Sequence, residues 1–218
     1  MGDKLFEPVK QANEALGKKI CKALLSNGFK SAEYAESAEE AARLVLGMIP
    51  GDATVGIPGT VTARQLGLPE KLAGKGCTVF HHWDPELKAE DKPKRLIDEN
   101  LSDWFVTSSN AITHDGKLVN IDGTGNRVAA MAWAPGKLLY VVSLNKVAKD
   151  TESAIQRARD TATPPNAVRV GSAPPCTKVG HCVDCNAPDR TCRVVTIMER
   201  APFGRECHAV IVGESLGY

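Results

Sequence analysis

The stretch Ala53-Thr54-Val55-Gly56-Ile57-Pro58-Gly59-Thr60-Val61-Thr62-Ala63 decides the fold. Its first five residues are typical of a short buried strand, the next five of a turn built from small residues, and residues 63–68 of a helix. A strand followed by a turn and a helix is typical of α/β proteins. The pattern recurs, because residues 77–80 and 104–107 are strand-like and residues 85–101 between them are mostly helical.

The segment before this stretch predicts two helices. Apolar residues recur at three- and four-residue steps from Val9 to Leu24, and Asn27-Gly28 is typical of a helix end. Ser37 begins a second helix, with Glu40 three residues later completing a capping box. These patterns predict that two helices precede the first strand.

The later sequence predicts further strands. The continuous apolar run from Leu138 to Leu144 is of the kind that is buried on both faces of a parallel sheet, and Asp150 is placed to cap the helix that follows. Residues 194–198 and 209–212 could be two adjacent strands that close the sheet. We therefore expect one α/β domain over residues 1–218, with an open and mainly parallel sheet.

The composition excludes several classes of protein. The chain has 218 residues, of which 43% are hydrophobic and 24% charged, and its net charge is +1. No apolar run approaches the roughly 20 residues that cross a bilayer, and the first residues do not resemble an export signal. We expect a cytoplasmic protein with neither a membrane nor a nucleic acid as its partner, and a homo-oligomer remains possible.

The turn after the first predicted strand is the first candidate ligand site. Gly56 and Gly59 allow the backbone to approach a ligand, and the free N–H groups at a helix start favour phosphate or carboxylate. Thr60 and Thr62 add hydroxyl groups. The turn matches neither of the two glycine-rich nucleotide-binding patterns, so no nucleotide follows from it. The alternative is an ordinary turn in which Thr62 only caps the helix.

The second candidate site lies in the loop-rich run from Ser108 to Arg127. Residues 122–126 resemble another anion-receptive helix start, and Arg127 could form paired hydrogen bonds with a carboxylate or phosphate. The alternative is a hairpin, turning at His114-Asp115-Gly116, whose Asn and Asp side chains satisfy their own backbone. The residues proposed for this site are Asn110, Asp122, Gly123, Gly125, Asn126 and Arg127.

Four cysteines form the third candidate site. Cys176, Cys182, Cys185 and Cys192 lie in a segment, residues 163–193, that also holds five prolines and predicts a long loop; we call it the Cys-rich segment. Four thiolates suit either zinc or an iron–sulfur cluster, and the spacing does not decide between them. His181 could replace one cysteine, and four unligated thiols are the remaining alternative. No flavin or NAD fingerprint is present.

Other candidates for chemistry are weaker. His81 and His82 follow a predicted strand directly, but adjacent side chains of an extended chain point in opposite directions, so at most one of them faces a site. No Ser-His-Asp or Cys-His arrangement can be assembled from spacing. Catalytic residues therefore remain unidentified at this point, and whether the protein is an enzyme stays open.

Several of these motifs together resemble the lactate utilization (LUD) domain family. The resemblance rests on Thr107–Thr113, on Asp122–Arg127 and on Asn145-Lys146 after the following strand, with the turn at residues 56–60 as its least specific part. It implies a fold like that of ribose phosphate isomerase, glucosamine phosphate deaminase and CoA transferases, with ligand sites at strand ends. The ligand residues it implies are Gly56, Gly59, Thr60, Asn110, Asp122, Gly123, Gly125, Asn126 and Arg127.

The Cys-rich segment sets this chain apart within that resemblance. LUD proteins of lactate-oxidising bacteria are associated with multi-subunit iron–sulfur machinery, and this chain resembles a stand-alone branch that carries its own cysteines. The resemblance implies a small anionic metabolite, a hydroxy- or oxo-carboxylate, that Arg127 would clamp, and a part in organic-acid oxidation with a redox protein as partner. Two alternatives remain: a zinc-stabilised binding or regulatory module without turnover, and an isomerase or CoA-transferase-like enzyme.

Overall fold

A six-stranded parallel sheet forms the centre of the molecule. The computed structural model describes the backbone of residues 3–218 and side chains from residue 7 onward. In spatial order the strands are β1 (Ser31–Ala35), β10 (Cys207–Val212), β7 (Lys137–Ser143), β4 (Trp104–Thr107), β2 (Thr54–Gly56) and β3 (Thr78–Phe80). The predicted open, mainly parallel α/β architecture is confirmed.

A smaller four-stranded sheet adjoins it. Its order is β8 (Val147–Ala148), β5 (Ala111–Thr113), β6 (Leu118–Asp122) and β9 (Val194–Met198). β5 and β6 are antiparallel, and the predicted tight turn at residues 114–116 connects them. This hairpin places the polar run that follows β4 beside the end of the main sheet.

Helices connect and cover the strands. They are α1 (Asp3–Ser26), α2 (Ala38–Met48), α3 (Val61–Gln65), α4 (Leu68–Lys75), α5 (Lys92–Leu101), α6 (Asn126–Ala132), α7 (Thr151–Arg157), α8 (Thr163–Arg169) and α9 (Cys176–Val179). Short 3₁₀ turns occupy Ala89–Asp91 and Leu144–Lys146, and a π-helical turn, Ala158–Ala162, joins α7 to α8. No helix within residues 3–218 is long and apolar enough to cross a membrane.

The apolar core lies on both faces of the main sheet, as the run in β7 predicts. Leu139 and Val141 face the cluster that includes Val45 of α2. Tyr140, on the other face, lies in the cluster that contains Ile20 of α1. Because alternate residues of one strand enter two separate cores, β7 has no polar face.

Local signals set the helix ends as predicted. The Ser37 side chain accepts a hydrogen bond from the Glu40 backbone N–H and begins α2. Gly28, two residues after α1, has a φ of 88°, a backbone conformation that favours glycine. The Asp150 side chain likewise caps α7 through the Ser153 N–H.

Two predictions about strand placement are wrong. A strand, β1, lies between the first two helices, although its sequence Ser-Ala-Glu-Tyr-Ala has little apolar character. The late strands are not adjacent, because β9 pairs with β6 in the small sheet while β10 lies between β1 and β7. Strands β9 and β10 are both apolar runs of five or six residues, so composition does not distinguish the exposed β9 from the fully buried β10.

The Cys-rich segment is also more regular than predicted. Its first seven residues form α8, which continues the helical path of α7, with prolines in the first turn, where a missing N–H has no cost. Cys176 begins the short helix α9, which ends at Gly180. The long loop is therefore restricted to the stretches around α9.

Candidate functional site

A cavity of about 390 Å³ lies at the carboxyl ends of four neighbouring strands of the main sheet. The turns after β2, β3, β4 and β7 each contribute side chains to it, represented by Thr60, His82, Ser108 and Lys146. Parallel strands end at the same edge, so residues far apart in sequence meet there. This is the place where open α/β sheets bind ligands.

Lys146 is the most unusual residue of the cavity. It is only 3% exposed, and its ammonium group donates hydrogen bonds to Thr62 Oγ1 at 2.8 Å and Ser108 Oγ at 3.0 Å. Burial, together with the nearby charges of Arg157 and Arg127, lowers the pKa of Lys146 to about 7. Among the described side chains it has hydroxyl partners but no carboxylate.

The two hydroxyl partners come from different elements. Ser108 directly follows β4, and Thr62 lies in the first turn of α3, whose start is capped by Thr60. The Thr62 hydroxyl donates to Ser108 Oγ at 3.3 Å. All three polar groups are buried, so the network holds the amine of Lys146 in one position.

Arg127 organises the wall of the cavity from inside the protein. Its Nε donates to Asp122 Oδ1, Nη1 to the Ser108 carbonyl and Asn120 Oδ1, and Nη2 to Asn110 Oδ1 and the Ile121 carbonyl. These acceptors use all five N–H groups of the guanidinium. Asp122 in turn accepts the backbone N–H of Val128 in α6.

These hydrogen bonds bear on the predicted contact between Arg127 and an anionic ligand. Arg127 lines the cavity, yet in this arrangement none of its N–H groups is left for a ligand. It fixes Asn110 and Asp122, and through them the hairpin and the start of α6. Arg127 is therefore placed to shape the site, and its direct contact with an anion stays a prediction.

A histidine–carboxylate pair lies at another side of the cavity. His82 Nδ1 lies 2.8 Å from Glu99 Oε1, and Glu99 is fully buried. Burial raises the pKa of Glu99, while its contact with His82 opposes the rise. The Nε2 atom of His82 lies on the side of Gly59, next to the cavity. Of the two adjacent histidines, His82 lines the cavity, whereas His81 stacks on Trp83.

Gly56 allows the His82–Glu99 pair to form, but it does not itself line the cavity. A Cβ at Gly56 would lie 1.9 Å from the backbone oxygen of Glu99, so only glycine lets α5 pack this close to β2. Gly125 also lies outside the cavity lining, and it precedes α6 with a φ of 85°. The other predicted ligand residues all line the cavity: Gly59, Thr60, Asn110, Asp122, Gly123, Asn126 and Arg127.

The end of the chain covers part of the cavity. Gly217 is held by Asn145 and by Gln65, and the Tyr218 hydroxyl accepts a hydrogen bond from Arg169 Nε at 2.8 Å. Gly217 and Tyr218 both belong to the lining.

The charge of the lining is positive overall. Lys92, Arg127, Lys146 and Arg169 contribute cations, and Asp122 is the acidic residue among the described lining residues. Because Asp122 already pairs with Arg127, the electrostatic environment favours an anionic ligand.

Sequence reasoning missed Lys146, Ser108 and Glu99 as site residues. Ser108 and Lys146 each stand just after a buried strand, a position at which open α/β proteins place ligand-facing groups. That signal was present in the sequence. Nothing in the sequence indicated that Glu99, in the last turn of the charged helix α5, is buried against His82.

Three cysteines of the Cys-rich segment lie close enough to Cys176 to influence its thiol. The pKa of Cys176 is raised by burial and by the nearby thiols of Cys185, Cys192 and Cys182. The Asp184 N–H donates to Cys182 Sγ at 3.4 Å. Within residues 3–218, however, no group of three or more His, Cys, Asp or Glu side chains is arranged to hold a metal ion.

The Cys-rich segment borders the cavity. Thr191, which directly precedes Cys192, lines it, and so does Ser172. The Arg193 N–H donates to the Asp122 carbonyl at 2.9 Å, which joins the end of the segment to the wall organised by Arg127. The two sites are therefore neighbours in the fold.

Comparison with known proteins finds similarity over most of the chain. The LUD domain family matches residues 17–212. Among solved structures, a DUF162 family protein from Deinococcus radiodurans is similar, with a TM-score of 0.53 at 13% identity, over 92% of this chain and 98% of that one. At this identity the likeness supports the fold alone. No curated protein matches the chain.

Proposed function

The chain belongs to the LUD domain family, which is associated broadly with lactate utilization, and we propose that it binds a small hydroxy- or oxo-carboxylate and takes part in its oxidation. The ligand would occupy the cavity at the strand ends. One observation carries this proposal: the buried charge of Lys146 has no carboxylate partner among the described residues.

A buried cation without a counter-ion costs free energy unless a ligand supplies the opposite charge. Lys146 faces a cavity whose other cations are Lys92 and Arg169 at the rim and Arg127 in the wall. A carboxylate bound beside Lys146 would pair with its ammonium group. The volume of about 390 Å³ suits a small molecule.

His82 supports the oxidation part of the proposal. Oxidising a hydroxy acid to an oxo acid removes a second proton and two electrons from the carbon that bears the hydroxyl, in addition to the hydroxyl proton itself. His82 is oriented by Glu99 through Nδ1, so Nε2 is the ring atom placed to accept that proton. The proposal assigns His82 the role of base.

The Cys-rich segment supports a route for the electrons. An iron–sulfur cluster accepts and relays electrons when it is bound, and four thiols are the ligand set that such a cluster takes. Cys182, Cys185 and Cys192 each lie near enough to Cys176 to affect its thiol, and Thr191 lines the cavity beside the segment. A redox protein would then act as the final partner.

Binding measurements test the anion site. We expect lactate, pyruvate or glyoxylate to bind to the purified protein by calorimetry, and the neutral amides of these acids to bind much more weakly. Lys146→Met should weaken acid binding by about 1.5–3 kcal/mol, as loss of a charge-assisted hydrogen bond does. Lys92→Met removes an exposed cation from the rim and serves as the control. Equal affinity in both variants would reject the proposed site.

Metal analysis tests the electron route separately. Protein purified without oxygen is assayed for iron, acid-labile sulfide and zinc, and its visible spectrum is recorded. Iron together with sulfide supports the cluster if both are lost in Cys185→Ser and retained in Cys77→Ser. Cys77 is the control because it lies outside the segment and its thiol donates a hydrogen bond to the Pro50 carbonyl. Zinc alone would favour a metal-stabilised binding module instead.

A further inference from the structure

We propose that Lys146 is a nucleophile that forms a covalent imine with an α-oxo acid in the cavity. This inference rests on the proposed function, because it requires the same cavity to accept an organic acid. It adds the substrate class, a carbonyl compound, and a reacting atom, Lys146 Nζ.

Position distinguishes Lys146 from the other lysine of the cavity. Lys146 follows β7 inside the protein, whereas Lys92 begins α5 at the exposed rim. Thr62 Oγ1 and Ser108 Oγ hold the amine from two elements, so its direction is fixed before a ligand arrives. Fixed geometry of this kind lowers the entropic cost of reaction.

The surroundings also favour the neutral amine. Only an uncharged amine has the lone pair that attacks a carbonyl carbon, and burial with nearby cations lowers the pKa of Lys146 to about 7. A large fraction of the amine is therefore neutral at physiological pH. The charged or titratable groups that line the cavity or act on Lys146 are His82, Lys92, Asp122, Arg127, Arg157, Arg169 and Tyr218.

The reaction balances without any other reagent. Nζ forms a bond to the carbonyl carbon, and the carbonyl oxygen takes up a proton to give a carbinolamine. That hydroxyl then leaves as water, and the carbon–nitrogen double bond forms. The hydroxyls of Ser108 and Thr62, both within 3.0 Å of Nζ, can relay the protons between nitrogen and oxygen. Water reverses the reaction and releases the acid.

Reductive trapping tests the inference on the intact chain. The protein is incubated with glyoxylate or pyruvate and borohydride, digested, and mapped by mass spectrometry. The expected result is a single main adduct on Lys146, with a mass increase equal to the oxo acid minus one oxygen atom. Lys146→Arg should abolish it, whereas Lys18→Met should retain it, because Lys18 is an exposed lysine of α1 outside the cavity lining. Mapping the unaltered protein keeps the test valid if the Lys146 variant fails to fold.

Three outcomes overturn the inference, and they differ in what they imply. If calorimetry shows the oxo acid bound but no adduct forms on Lys146 at saturation, the imine is rejected and the anion site stands. If neither binding nor an adduct is found, the proposed function fails as well. Modification spread evenly over surface lysines also contradicts the inference, because it shows no selective reactivity.

Discussion

The cavity at the strand ends and the Cys-rich segment are neighbours, but they are built in opposite ways. In and behind the wall of the cavity, the buried Lys146 and Glu99 and the part-buried Arg127 already have hydrogen-bond partners. In the segment, three of the four cysteines are partly exposed, and the thiols are close without forming a coordination set within the described residues.

The difference shows two ways of preparing a site. The main sheet positions the cavity side chains before any ligand binds, since each stands at the end of a packed strand or in a helix packed against one. Residues 181–193 of the segment form neither helix nor strand, and Cys182, Cys185 and Cys192 are partly exposed there. A change in the wall of the cavity should therefore affect the whole fold, and a change in the segment should act locally.

The largest effect is expected from Arg127→Ala. The substitution removes five hydrogen bonds and leaves Asp122, whose side chain is 9% exposed, without its cation. Breaking a nearly buried pair of this kind costs ~3–5 kcal/mol of the free energy of unfolding. Denaturant unfolding measures it, with Arg43→Ala as the control because Arg43 is an exposed arginine on α2. A similar small loss in both variants would contradict the structural role of Arg127.

A smaller loss is expected from Gly56→Ala. The new methyl group would overlap the backbone of Glu99, and relieving the overlap moves α5 away from β2 at a cost of ~1–3 kcal/mol. Gly47→Ala is the matched control, since its Cβ would meet nothing within 4 Å and it lies in α2. Thermal unfolding of the two variants makes the comparison. If Gly56→Ala is as stable as Gly47→Ala, the close packing of α5 on β2 is not required.

Anion affinity should fall as the pH rises through about 7. Below this pH the Lys146 ammonium is present, and above it the amine is neutral, because burial lowers its pKa. Loss of the charge is expected to weaken binding by about tenfold, or ~1.4 kcal/mol. Calorimetry with acetate or lactate from pH 6 to pH 8.5 measures this fall in affinity. The Lys92→Met variant should show the same step in affinity near pH 7. A step that persists in Lys146→Met would assign it to another group.

The smallest effect on the fold is expected from Cys185→Ser in metal-free protein. Cys185 is partly exposed and outside the main cores, so global stability should change by no more than ~0.5 kcal/mol. In the presence of metal, the Cys-rich segment of the unaltered protein should resist proteolysis, whereas the same segment of Cys185→Ser should be cleaved. Equal resistance with and without metal would show that the segment is ordered by the fold alone.

Much of the architecture could be predicted because its signals are local. A few consecutive residues are enough to predict the alternation of β7 between two cores, the Ser37 cap and the small-residue turn at Gly59. The motif around Arg127, by its resemblance to the LUD domain family, similarly indicated the family, and seven of the nine ligand residues that this resemblance implied line the cavity. Strand β1 escaped prediction because its stability comes from pairing with β10, 177 positions later in the chain (Ser31 with His208).

The order of residues along the chain could not predict which distant side chains lie next to one another in the fold. The neighbourhood of Lys146, Ser108 and Thr62 exists because β4 and β7 are adjacent in the sheet and α3 follows the strand next to β4. The burial of Glu99 against His82 depends on the packing of α5 over Gly56. Sequence patterns report local conformation and the apolar side of each element, whereas the charge, burial and reactivity of a side chain depend on neighbours that only the folded chain brings together.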